Sequence, residues 1–135
     1  MREAVLDASV VLKWFRTEGE RQVEAARALR TEFEAGRLLV VVPALLGLEL
    51  LNVAARCWSW QERKLVTLVA TMRDLGFEQR DPDLEPVARW TTRGLTAYDA
   101  VYVALAEAEA IQLVTDDELI LDVAGSLATP LHDCC

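Results

Sequence analysis

Ala4-Val5-Leu6-Asp7-Ala8-Ser9-Val10-Val11-Leu12-Lys13-Trp14-Phe15-Arg16 is the stretch whose reading decides the fold. Val5 and Leu6 give the apolar, β-branched run of a strand covered on both faces. Ser9 is a good N-cap for a helix that carries Val10, Val11, Trp14 and Phe15 on its apolar side. Asp7 then stands where the strand ends. In open parallel α/β sheets ligands bind at the carboxyl ends of the strands, so an acid at this point is a candidate site residue. Taken alone, Asp7 reads first as an acid that meets a helix dipole. Other acids must converge on it before it means more.

Downstream, apolar residues recur at helical spacing from Glu20 to Ala35, and Gly36 ends that helix. Leu38 to Val42 is an unbroken apolar run closed by Pro43, which predicts a buried parallel strand. A leucine-rich helix over 44–57 follows, interrupted by Glu49. Ser59 with Glu62 predicts the start of a helix that ends at Gly76, and 77–80 reads as a short strand. A helix over 83–93 is closed by Gly94. Thr96-Ala97-Tyr98-Asp99 has capping-box spacing and opens an alanine-rich helix to about Ala110. Ile111 to Thr115 reads as another buried strand running into Asp116, Asp117 and Glu118, and Pro130 to His132 as a last edge strand. Strands alternating with helices, without hairpin signals, imply an α/β fold with a parallel sheet and helices on both faces.

The chain has 135 residues, no internal repeat and no linker-like segment, which predicts one domain over 1–135. No apolar run approaches a membrane span, and the first residues lack the features of a secretory signal, so a cytoplasmic protein with no membrane association is expected. Cys57 reads as a core thiol, and Cys134 and Cys135 as a frayed end, with no spacing suited to zinc. A net charge of −8 without any basic run disfavours direct phosphate neutralisation by the protein. The acids instead have to hold a cation that meets the phosphate, or nucleic acid is not the ligand.

If the strands ending at Asp7 and at Asp116 and Asp117 are neighbours, these acids meet, and Glu49 and Asp99 lie on helices that pack against the same sheet. Such a cluster opposes folding through like-charge repulsion, so it is normally kept for a cation. Oxygen ligands without His or thiolate favour Mg2+ or Mn2+. Asp99 also reads as the N3 acid of its capping box, and Asp116 to Glu118 as complements of a helix N-terminus. Glu49, among leucines, needs a partner; Arg56 lies two turns on along the same face, and Asn52, one turn on, is a candidate supporting hydrogen-bond donor.

Val-Leu-Asp-Ala-Ser at 5–9, Pro43 with Glu49 and Asn52, Leu-Thr-Ala-Tyr-Asp-Ala-Val-Tyr-Val-Ala-Leu-Ala at 95–106 and Leu-Val-Thr-Asp-Asp at 113–117 together resemble a PIN domain, most closely the VapC-type toxins of prokaryotic toxin–antitoxin pairs. The resemblance implies a three-layer fold with a five-stranded parallel sheet in the order 3-2-1-4-5. It implies a Mg2+- or Mn2+-dependent endoribonuclease with Asp7, Glu49, Asp99 and Asp117 as the four acids. Asp7, Asp99 and Asp117 would ligate metal, Glu49 directly or through water. Ser9 and Thr115 would be hydroxyl partners. Asp116 stands where the family more often has a neutral residue, and Asp117 is preferred for its spacing from Thr115. It also implies RNA as substrate, a VapB-like antitoxin laid over the N-terminal helices, and a homodimer.

Lys13, Arg56, Arg89 and Arg93 are the candidate RNA contacts, and His132 is read as structural or exposed. Trp14 and the Trp58–Trp60 segment are expected to contribute to the protein interfaces. A receiver domain, a haloacid-dehalogenase-like phosphatase and a P-loop or Rossmann protein each lack their required residues. The competing function is a PIN-like protein-binding module with little or no nuclease activity.

Overall fold

A computed structural model of the chain describes residues 1–133; Cys134 and Cys135, read above as a frayed end, lie outside the described residues. The strands are β1 (Arg2–Leu6), β2 (Leu38–Val42), β3 (Glu78–Gln79), β4 (Gln112–Thr115) and β5 (Ala128–Pro130). They form one parallel sheet in the order β3-β2-β1-β4-β5, as the resemblance implied. The first strand is therefore central. Its last three residues, Ala4, Val5 and Leu6, are buried, as a strand with helices over both faces requires.

The helices are α1 (Ala8–Phe15), α2 (Val23–Glu34), α3 (Leu45–Arg56), α4 (Glu62–Leu75), α5 (Leu84–Thr91), α6 (Ala97–Glu109) and α7 (Glu118–Ala124). The connections from β1 to β2 to β3 run one way along the sheet, and those from β3 to β4 to β5 run back. Right-handed crossovers then place α1 to α4 over one face and α5 to α7 over the other. The packing agrees: α1 meets α2 and α3, α3 meets α4, and α6 meets both α5 and α7.

Several local expectations are corrected. Ser9 does not cap α1: Asp7 is the N-cap residue in extended conformation, its carbonyl accepting from Val10 and Val11, and the Ser9 side chain turns to other partners. Ser59 does not cap α4 either. It adopts a left-handed φ of 57°, and the helix starts two residues later behind Gln61. The helix expected from Glu20 begins at Val23, after a left-handed Gln22. The last strand is Ala128–Pro130, and His132, exposed, falls in the 3-10 turn that follows. Cys57 is exposed at the end of α3 and is no core thiol. Thr96 does cap α6, accepting from the Asp99 N–H at 3.1 Å.

Trp14, expected at an interface, is a core residue, 8% exposed. Its Nε1 donates to the Ala26 carbonyl at 3.0 Å, and its ring packs with Phe33 and Phe77, which joins α1 to α2 and to the approach to β3. Trp14→Ala is expected to destabilise the fold by about 3–5 kcal/mol, the usual cost of emptying a large aromatic site. Denaturant unfolding at fixed pH measures it.

Candidate functional site

The strand register explains how the first two site residues meet. Leu6 of β1 lies beside Val114 of β4, so Asp7 and Thr115, the next residues on each chain, emerge together at the carboxyl edge of the sheet. The Thr115 hydroxyl donates to Asp7 Oδ2 at 2.5 Å, and the Ser9 hydroxyl, in the first turn of α1, donates to Asp7 Oδ1 at 2.6 Å. Both hydroxyls also accept. Ser9 Oγ takes the Asp116 N–H and Thr115 Oγ1 the Asp117 N–H, each at 3.0 Å. One buried carboxylate is thus bound through two hydroxyls to the turn that carries the next pair of acids.

That turn gives its two acids different fates. Asp117 caps α7, its Oδ1 accepting from Ile120 N at 2.9 Å. Asp116 points away: its Oδ2 lies 3.2 Å from Lys13 Nζ and 3.8 Å from Arg21. Lys13 is 5% exposed and also binds Glu20 Oε1 at 3.0 Å. Lys13 is therefore no surface contact for RNA. It is the internal partner of two carboxylates, and it neutralises the acid that the sequence left in competition with Asp117.

Glu49 lies in the second turn of α3, half-buried, and its partner is Tyr102 of α6 rather than Asn52 or Arg56. The buried Tyr102 hydroxyl donates to Glu49 Oε1 at 2.5 Å. Asn52 and Arg56 are both exposed. Tyr102 was missed in the sequence, although it stands one turn after Asp99 on α6, and an acid among leucines needs a donor from a facing element. Arg89 pairs with Glu107 at 3.2 Å, and the Arg93 guanidinium lies 4.5 Å from the Trp90 ring centre. The four basic residues singled out in the sequence are not assembled into one surface.

Asp7, Glu49, Asp99 and Asp117 form one electrostatic group. Burial raises the Asp7 carboxyl to about 6, against the opposing Ser9 and Thr115 hydrogen bonds, and the Asp117 charge adds to the rise. Burial also raises Glu49, with a further contribution from Asp99, and it raises Asp99, with a further contribution from Asp117. Burial and the Glu49 charge hold the Tyr102 phenol far above its ordinary range, so it remains a donor. Among the described residues, none of the four acids forms an ion pair.

An oxygen-only, mutually repelling donor set without counter-cations has the chemistry a hard divalent ion requires. As the side chains stand, no three His, Cys, Asp or Glu among the described residues are gathered closely enough to hold one ion. The fit is thus in donor type and charge.

An acid whose folded pKa is raised binds more protons folded than unfolded, so its cost appears as pH rises from its ordinary value towards its folded value. In metal-free buffer, Asp7 should remove stability between about pH 4 and 6, reaching roughly 3 kcal/mol above that window. Asp7→Asn keeps the shape without the charge. Its stability relative to wild type should rise across that window and then level off, as read by denaturant unfolding from pH 4 to 8 in EDTA.

Among curated proteins, none matches the chain significantly by sequence. Solved structures match its fold over nearly its full length. PAE2754 from Pyrobaculum aerophilum aligns with a TM-score of 0.69 at 24% identity, covering 97% of this chain and 90% of that one. FitAcB from Neisseria gonorrhoeae aligns with a TM-score of 0.70 at 16% identity, covering 96% and 99%. VapC20 from Mycobacterium tuberculosis, a sarcin-ricin loop cleaving toxin, aligns with a TM-score of 0.65 at 19% identity, covering 90% and 95%. The family model of the PIN domain matches residues 4–126, from the first strand through the turn after α7. With that match covering most of the chain, all four acids and the strands β1 to β4 included, the chain belongs to the PIN-domain family.

Proposed function

We propose that this protein is a Mg2+- or Mn2+-dependent endoribonuclease, the toxin half of a toxin–antitoxin pair. PIN domains are generally nucleases and generally use divalent metals. The observation that carries the reading here is the group of four carboxylates at the carboxyl edge of the sheet, three of them held above their ordinary range and none neutralised by a basic side chain. RNA as substrate and the toxin role rest on the motif resemblance and on the shared fold of VapC20, which is described as cleaving the sarcin-ricin loop.

In this reading Asp7, Asp99 and Asp117 would hold the metal, and Glu49 would join them directly or through water. A bound divalent ion supplies Lewis acidity towards water and phosphate, and charge stabilisation for the leaving 3′ oxygen. The remaining roles belong to the chain. Ser9 and Thr115 fix both oxygens of Asp7, so its orientation is set before any ligand arrives. Tyr102 holds one oxygen of Glu49 and leaves the other available. Lys13 draws Asp116 aside, so a single acid of the Asp116–Asp117 pair is presented. No side-chain nucleophile is needed, and His132, exposed beside Asp133, takes no part.

The partners in this proposal are an RNA substrate, a VapB-like antitoxin and a second copy of the chain. No described helix is long and apolar enough to cross a membrane.

Two measurements test the reading. End-labelled cellular RNA should be cut in Mg2+ or Mn2+ and left intact in EDTA, and Asp7→Asn should lose the cleavage. Mg2+ should also raise the thermal midpoint, corresponding to about 2.7 kcal/mol at a free concentration a hundred times its dissociation constant. Asp99→Asn should abolish most of that rise.

A further inference from the structure

Away from the acidic group, a cleft of about 700 Å³ opens where α1 ends and α3 turns into α4, lined by Arg16, Trp58, Trp60, Arg63 and Lys64 with Glu18, Ser59 and Gln61 at its margins. Trp58 and Trp60 are half-buried, their ring centres 5.0 Å apart and inclined at 57°. The Arg16 guanidinium lies 5.5 Å from the Trp58 ring centre, and Lys64 Nζ lies 5.1 Å from that of Trp60. The backbone that carries the rings is tied down: the Trp58 backbone N–H donates to the Val53 carbonyl and the Trp60 backbone N–H to the Ala54 carbonyl, which folds the segment back onto the end of α3.

In a chain of net charge −8 this cleft gathers three cations. Arg63 and Lys64 are exposed and enter no ion pair among the described residues, and Glu18 at the cleft margin is bound to Arg16 at 3.4 Å. Glu62 in the first turn of α4 offsets the positive end of that helix, so the positive character of the cleft rests on the side chains of Arg16, Arg63 and Lys64. Aromatic rings interleaved with unpaired cations are the combination by which proteins hold single-stranded nucleic acid, bases stacking on rings and phosphates meeting Arg and Lys.

We propose that this cleft binds the substrate strand at a distance from the scissile phosphate, as a stacking and phosphate subsite for single-stranded RNA. The inference rests on the nuclease reading for the identity of the strand. Arg16 closes α1 nine positions after Asp7, and Trp58 lies nine positions after Glu49, just beyond the end of α3, so the helical part of each path is about 10–12 Å. The two helices pack on each other, so both lead from the acids to the cleft. That length corresponds to roughly three stacked nucleotides at about 3.4 Å each. The subsite supplies the attraction for phosphate that the acidic group, without metal, cannot.

The test is fluorescence anisotropy of a labelled eight-nucleotide single-stranded RNA with the full-length protein in EDTA, where cleavage is suppressed. Trp58→Ala and Trp60→Ala should each weaken binding by about five- to a hundredfold, while Trp60→Phe retains most of it. The exposed double change Arg63→Glu with Lys64→Glu, which should leave folding intact by circular dichroism, should weaken binding more than tenfold and reduce its salt dependence. If every variant binds as wild type does while wild type cleaves RNA in Mg2+, the cleft is not the subsite and the nuclease stands. If wild type neither binds nor cleaves RNA, both proposals fall. Competition by a ten-residue polyglutamate as effective as unlabelled RNA assigns the cleft to an acidic protein partner and overturns the RNA subsite.

Discussion

The Asp7 carboxylate and its two hydroxyl partners are the contact on which the rest of the site depends. A buried charge is tolerated only where donors surround it, and here the donors come from α1 and from β4, two elements that meet only because β1 and β4 are neighbours. The same hydroxyls accept from Asp116 and Asp117, so the placement of the first acid and of the β4–α7 turn is one hydrogen-bonded arrangement. The hydrogen bonds do not fully offset the loss of water, which is why the Asp7 pKa stays high. A charge kept under that penalty has the character the proposed metal site requires.

Acids close in sequence are sorted by what faces them. Asp116 and Asp117 share one turn, yet the first is drawn to Lys13 and Arg21 and the second caps α7 on the side of Asp7 and Asp99. Glu49 and Asp99 come from opposite layers, and Tyr102 reaches from α6 to α3 across the edge of the sheet to hold Glu49. Lys13 and Tyr102 thus position acids while remaining inside the fold. Neither carries the features by which a surface ligand is recognised.

The charge distribution gives the −8 balance a physical meaning. Acids are collected without counter-ions at the carboxyl edge, whereas unpaired cations stand with tryptophans near the far ends of α1 and α3. The two regions have opposite demands on a polyanion. In the proposed function the first would need a metal before phosphate approaches, and in the proposed subsite the second would attract phosphate unaided.

Legibility followed the range of the interactions. The apolar runs at 4–6, 38–42 and 111–115, the helix spacing between them and the Thr96 cap are local signals, and they sufficed for the α/β class; the motif resemblance supplied the strand order. The same local signals placed Asp7, Asp99 and Asp117 at element boundaries; that Asp7 and Asp117 meet depends on the pairing of β1 with β4. Ser9 and Ser59 misled because a serine before a helical run has the composition of a cap whether or not its hydroxyl finds a stronger acceptor elsewhere, as Ser9 does in Asp7. Lys13, Trp14 and Cys57 were misjudged for a related reason: burial of one residue depends on which helix crosses it. By itself, the sequence determined the alternation of elements and the acids at their ends, because these follow from neighbours within one or two turns. Only the tertiary structure decided that Lys13 serves Asp116, that Tyr102 serves Glu49 and that two tryptophans share a cationic cleft, because each pairing joins elements whose contact exists only after the sheet has assembled.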